Sequence, residues 1–132
     1  MTLWILAVLA LFVIQSYLPS SMRYFFSDLE MKDGVASSLG GRDNPPALSI
    51  KGGRAARALN NMKEALFVFL PVALLLQIKG APSDLAQNGA LVFLVFRVMY
   101  VPAYISAIIG LRSLIWMGAL AGLGMMIAAL FL

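Results

Sequence analysis

The chain contains no cysteine and no histidine. The first absence rules out a disulfide framework and a cysteine nucleophile, and the two together remove the usual ligands of zinc and haem. Any thiol chemistry must therefore come from a substrate, and nothing calls for a metal. Charge is scarce too: 12% of the 132 residues are Asp, Glu, Lys or Arg, against 61% hydrophobic. A water-soluble domain of this size would not tolerate that surface. With a mean hydropathy of +0.89, the chain reads as an integral membrane protein.

Four apolar stretches stand out, Leu3–Leu18, Met62–Ile78, Leu85–Ile109 and Leu114–Leu132. Each is near the ~20 residues that cross the hydrocarbon as a helix. Helices satisfy their own backbone groups, so the expected fold is all-α, an integral membrane four-helix bundle. We place the spans at about 2–18, 57–79, 84–109 and 112–132, with a loop at about 19–56, all in one membrane domain covering 1–132. The first stretch lacks a basic leader and a small-x-small cleavage site, so it reads as a retained span rather than a secretory signal.

A formal charge of +4 invites a nucleic-acid reading, but the basic residues follow topology and form no binding stripe. Arg23, Lys32, Arg42, Lys51, Arg54 and Arg57 fall between spans one and two, Arg112 falls at the 3–4 turn, and Lys79 alone lies in the 2–3 loop. The positive-inside rule then puts the 1–2 and 3–4 loops in the cytoplasm and both termini outside, and no nucleic-acid partner is expected. Pro19 with Ser20 and Ser21 is expected to end the first helix. Gly52-Gly53 is expected to precede the second, and Pro71 to kink it.

Charges inside the spans carry the chemistry. Glu64 and Arg97 each sit in an apolar stretch, where a lone charge costs at least ~2.5–3.5 kcal/mol and normally faces a partner or a wet cavity. Arg57, Asn61 and Glu64 follow at i, i+4 and i+7 and share one helical face; Arg97, Tyr100 and Tyr104 follow at i, i+3 and i+7 and share another. The simplest arrangement pairs Glu64 with Arg97, as a structural ion pair or as part of a site. A bland reading stands beside it: Arg57 snorkelling from a helix end, Tyr104 in an aromatic belt, Arg112 anchoring a tight turn. Arg112-Ser113 opens the fourth span, where a helix N-terminus adds free backbone donors to the guanidinium and favours an anion.

These residues resemble the MAPEG superfamily, membrane-associated proteins in eicosanoid and glutathione metabolism, and its short bacterial members in particular. The resemblance spans most of the chain. It rests on Gly40-Gly41-Arg42-Asp43-Asn44-Pro45-Pro46, on the Arg-x-x-x-Asn-x-x-Glu pattern at Arg57, Asn61 and Glu64, and on Arg97, Tyr100 and Tyr104. The resemblance implies a homotrimer in the bacterial inner membrane that binds glutathione as co-substrate between subunits at the cytoplasmic side. Arg57, Asn60, Asn61, Glu64, Tyr100 and Tyr104 would contact or frame glutathione, while Arg112 and Ser113 would activate its thiol against a lipophilic electrophile or peroxide drawn from membrane lipid. Two positions depart from the pattern: Asn60 stands where relatives often carry arginine, and Tyr100 where some carry histidine. Two rival readings are a non-catalytic membrane protein of the same fold and a small multidrug transporter. Four short helices with one buried acid would suit the transporter, but its first helix offers only Gln15.

Overall fold

The computed structural model describes residues 1–25, 35–36, 38–41, 45, 47–80 and 83–132. Four long helices make up the fold: α1 (Thr2–Tyr24), α2 (Ile50–Ile78), α3 (Asp84–Ser106) and α4 (Leu111–Ala128). Each is long and apolar enough to cross a membrane. Arg42, Asp43, Asn44 and Pro46 of the loop motif lie outside the described residues, as do Asp28, Glu30, Lys32 and Asp33 of the same loop and Ala81-Pro82 of the 2–3 turn.

Four boundaries differ from the sequence expectation. Pro19 does not end α1, which runs on to Tyr24. A proline removes one backbone hydrogen bond, and here the helix beyond it is held by packing, since Tyr24 is buried. At the start of α2 the glycine pair lies inside the helix. The N-cap is Ser49, whose hydroxyl accepts from the Gly52 amide at 3.1 Å, the usual way to satisfy a free first-turn donor. Gly52 is buried against α1, and a Cβ there would meet Leu48 at 3.0 Å and Met22 at 3.5 Å. The glycine is therefore a buried member of the first turn, tight against the Leu48 side chain and the Ser49 cap, and not a helix interruption. The last two spans are shorter than read, α3 ending at Ser106 and α4 at Ala128.

Successive helices run antiparallel. Thr2 donates to Gln77 (3.4 Å) and Lys79 to the Leu130 carbonyl (2.8 Å), which gathers both chain termini and the α2–α3 connection at one end. The α3–α4 turn lies at the other. Lipid is as apolar as leucine, so association rests on packing and small residues rather than on escape from water. Phe69 of α2 stacks on Phe93 of α3 with centroids 4.6 Å apart. The closest seam is α3–α4, where Gly89 and Gly122 cross: a Cβ on Gly122 would lie 2.6 Å from the Phe93 amide nitrogen and 2.7 Å from the Gly89 carbonyl. By contrast, α2 and α4 meet only sparsely, and the gap between them is where the functional residues gather.

Candidate functional site

The cleft has α2 and α4 as walls and α3 as floor. Its middle is a cavity of about 440 Å³ lined by Arg57, Asn60, Asn61 and Glu64 from α2, Tyr100 and Tyr104 from α3, and Arg112, Ser113 and Trp116 from α4. Toward the α3–α4 turn it continues into a second cavity of about 330 Å³, which shares Arg57, Tyr104, Arg112 and Ser113 and adds Arg54 and the turn itself. Toward the bundle centre it narrows into a third of about 170 Å³, which shares Asn61, Glu64 and Trp116 and is otherwise walled mainly by Ala65, Val68, Phe93, Leu120 and Leu123. The series passes from a cationic mouth to a mostly apolar throat that still carries Glu64 and Arg97.

Helical spacing explains the floor. Phe93, Arg97, Tyr100 and Tyr104 recur at three- and four-residue intervals along one face of α3. The Arg97 guanidinium lies 5.3 Å from the Phe93 ring centroid and 5.6 Å from that of Tyr100. Tyr100 meets Tyr104 edge-on at 5.5 Å, and Arg112 sits 5.1 Å over Tyr104. The two cations thus bracket the Tyr100–Tyr104 pair, each cation–π contact being worth roughly 0.5–2 kcal/mol depending on desolvation.

Arg97 is 3% exposed and donates from Nη1 to Asn61 Oδ1 at 2.7 Å. The sequence suggests Glu64 as its partner, but the α2–α3 register sets Asn61 opposite Arg97, and Glu64 lies a turn away on the exposed side. Among the described residues no ion pair joins the two; Glu64 and Arg97 share the wall of the third cavity instead. Arg97 Nε is buried without a partner.

The turn completes the mouth. Ala107 adopts φ 57 and Gly110 φ 80, the left-handed region, where glycine is at ease and alanine is strained. Arg54 Nη1 donates to the Ile105 carbonyl at 3.0 Å, satisfying one of the unpaired acceptors at the end of α3. The sequence marks Arg54 only as a loop cation; its capping role depends on the antiparallel register of α2 and α3. At the N-terminus of α4 no side chain caps the helix. The first intrahelical bond is Leu114 N–H to Gly110 C=O at 3.1 Å, which leaves the amides of Leu111, Arg112 and Ser113 available beside the Arg112 guanidinium. Free helix-end amides next to a cation make a place for an anion.

All eight residues singled out as catalytic or ligand-binding therefore line one cleft, with Arg97 beneath it. Trp116, which divides the middle cavity from the throat, is the wall residue that sequence reasoning did not single out; its spacing of i+4 from Arg112 was the available signal. The family model of the MAPEG family matches residues 1–132, the whole chain. No curated protein and no solved structure matches it.

Proposed function

The chain belongs to the MAPEG family, and from that premise we propose that it is a membrane-bound, glutathione-dependent transferase or peroxidase that activates a thiol for attack on lipophilic electrophiles. The observation that carries the proposal is the cleft: two guanidinium groups, Arg57 and Arg112, an uncapped helix N-terminus and two tyrosines around about 440 Å³. That volume is in the ~300–1,000 Å³ range of small-molecule sites. In this reading Arg57, Asn60, Asn61, Glu64, Tyr100 and Tyr104 hold the tripeptide, and Arg112 with Ser113 faces its sulfur.

Thiol activation follows from charge. Lowering a thiol from pKa ~8.5 to ~6.5 needs about 2.7 kcal/mol of preferential thiolate binding, within reach of one partly desolvated guanidinium plus hydrogen bonds. The thiol proton leaves to solvent. The thiolate sulfur then forms a bond to the electrophilic carbon, whose leaving group departs with the electron pair. A lipophilic acceptor would enter from the bilayer through the apolar throat between α2 and α4. The same reading makes the protein a homotrimer of the bacterial inner membrane, with the α3–α4 turn cytoplasmic and both termini periplasmic.

Calorimetry of glutathione binding, together with thiolate ultraviolet absorbance across pH, tests it. Saturable binding with a lowered thiol pKa, lost in Arg112→Ala, is the expected result; no binding at millimolar glutathione would overturn it. The rival reading, a non-catalytic member of the fold, draws on Asn60, which puts a neutral amide in the cleft wall. Transport is disfavoured because the buried polar residue of α1 is Gln15, which has no proton to exchange.

A further inference from the structure

Three residues border both the middle cavity and the throat: Asn61 and Glu64 of α2 and Trp116 of α4. The two facing helices change character together there. Arg57, Asn61, Glu64 and Val68 run down α2 at i, i+4, i+7 and i+11, and Arg112, Trp116, Leu120 and Leu123 run down α4 at i, i+4, i+8 and i+11, so each set holds one helical face. Among the described residues, Trp116 is the only α4 side chain at this passage. It is also the bulkiest of the three, and thiol activation at Arg112 makes no use of it.

The passage has a fixed width. Asn61 is held by the 2.7 Å hydrogen bond from Arg97. Trp116 rides on a helix that cannot move toward α3: a Cβ on Gly122 would already lie 2.6 Å from the Phe93 amide nitrogen, and Gly118 leaves no room for one against the Phe96 ring. Packing this close transmits strain rather than yielding to it. Beyond the passage the throat encloses about 170 Å³, with Phe93 and Trp116 as its aromatic walls. An apolar cavity of ~150 Å³ takes one benzene ring. Aromatic walls favour a ring over an aliphatic group of the same size, because edge and face contacts add to the burial.

We infer that Trp116 sets the size of the electrophile, admitting a reacting group one six-membered ring wide and excluding two fused rings. The substrate class is a compact single-ring electrophile. With a benzylic chloride, the thiolate sulfur bonds to the benzylic carbon and chloride leaves with the electron pair of the broken bond. Trp116 takes no part in that exchange; it determines which carbon can come within reach of the sulfur.

The inference rests on the transferase reading for its substrate, and its test separates the two. Turnover of benzyl chloride and of 1-(chloromethyl)naphthalene with glutathione, each divided by its uncatalysed rate, gives a selectivity ratio in kcat/KM. The unchanged chain should favour the single ring by at least ~10-fold, the scale on which an apolar pocket rejects an ill-fitting group. Trp116→Ala should cut that preference by at least ~10-fold, while Leu114→Ala, exposed on the same helix and lining neither cavity, should leave it as it was. A parent chain without the preference, or an unchanged ratio in Trp116→Ala, would overturn the inference.

A second measurement keeps the indole in place and needs no glutathione. In Trp4→Phe, Trp116 is the one remaining tryptophan. Bromobenzene added to the micelles should quench its fluorescence with a saturating component, which cyclohexane should relieve by competition and decalin, two fused rings, should not. If no variant turns over either chloride, the transferase reading fails and the quenching decides alone. Quenching that stays linear in bromobenzene, or equal relief by decalin, would overturn the size limit.

Discussion

Gly122→Ala should loosen the α3–α4 seam. The added Cβ would sit 2.6 Å from the Phe93 amide nitrogen and 2.7 Å from the Gly89 carbonyl oxygen, both backbone atoms that no rotamer change can move. Ordinary contact begins at 3.4 Å, so the helices must part by about 0.8 Å along that direction. Overpacking of this kind costs ~1–3 kcal/mol. Alanine's better helix propensity returns ~1 kcal/mol, leaving a net loss of up to about 2 kcal/mol. Gly124 supplies the control: it lies two residues on in the same helix, and a Cβ there meets nothing within 4 Å. Gly124→Ala should be neutral or stabilising by up to ~1 kcal/mol. Unfolding by SDS titration in mixed micelles, followed through Trp4 and Trp116, the chain's two tryptophans, reads both variants in one assay. If Gly122→Ala proved as stable as Gly124→Ala, the close crossing would not be the constraint described.

Three further outcomes follow from the site. A cation beside a thiolate lowers the thiol pKa, so bound glutathione should show thiolate absorbance well below its free midpoint of ~8.5, and Arg112→Ala should move that midpoint back up while Arg112→Lys keeps part of the shift. Asn61→Leu removes the acceptor of a buried guanidinium and should cost about 2–3 kcal/mol in the same SDS titration, whereas Asn61→Asp, which still accepts from Arg97, should not. Arg54→Ala frees the Ile105 carbonyl; hydrogen exchange over residues 105–110 should quicken, with a stability loss of about 1 kcal/mol because the group is partly solvated.

The four helices were legible because hydropathy over ~20 residues reports directly on the bilayer. Their ends were not. Pro19 and Gly52-Gly53 carry the local chemistry of interruption, but Tyr24 packs beyond the proline and Gly52 is buried in the first turn of α2 beneath its Ser49 cap. Such tertiary demands leave no local signature. The cleft residues could be gathered from periodicity and family pattern, since i, i+4 and i+7 fix a shared face. The partner across the helices could not: whether Arg97 reaches Asn61 or Glu64 depends on the α2–α3 register, which neither helix encodes alone. The Arg54 cap and the wall made by Trp116 escaped for the same reason.

The Arg97–Asn61 hydrogen bond also sets a polarity. A guanidinium only donates, so its grip on Oδ1 leaves no choice in how the amide is turned: the NH2 is the end left over for the cleft. Asparagine, ordinarily ambidextrous, becomes a one-way donor. Arg57 and Arg112 likewise can only give hydrogen bonds; Glu64 is the cleft's purely accepting side chain, and Asn60, Ser113 and the tyrosine hydroxyls can do either. A ligand rich in carboxylates and carbonyls satisfies such a wall, whereas an amine-rich one leaves it unanswered. Arg97 shapes that vocabulary from beneath the surface: the orientation of one buried bond selects which molecules can be understood.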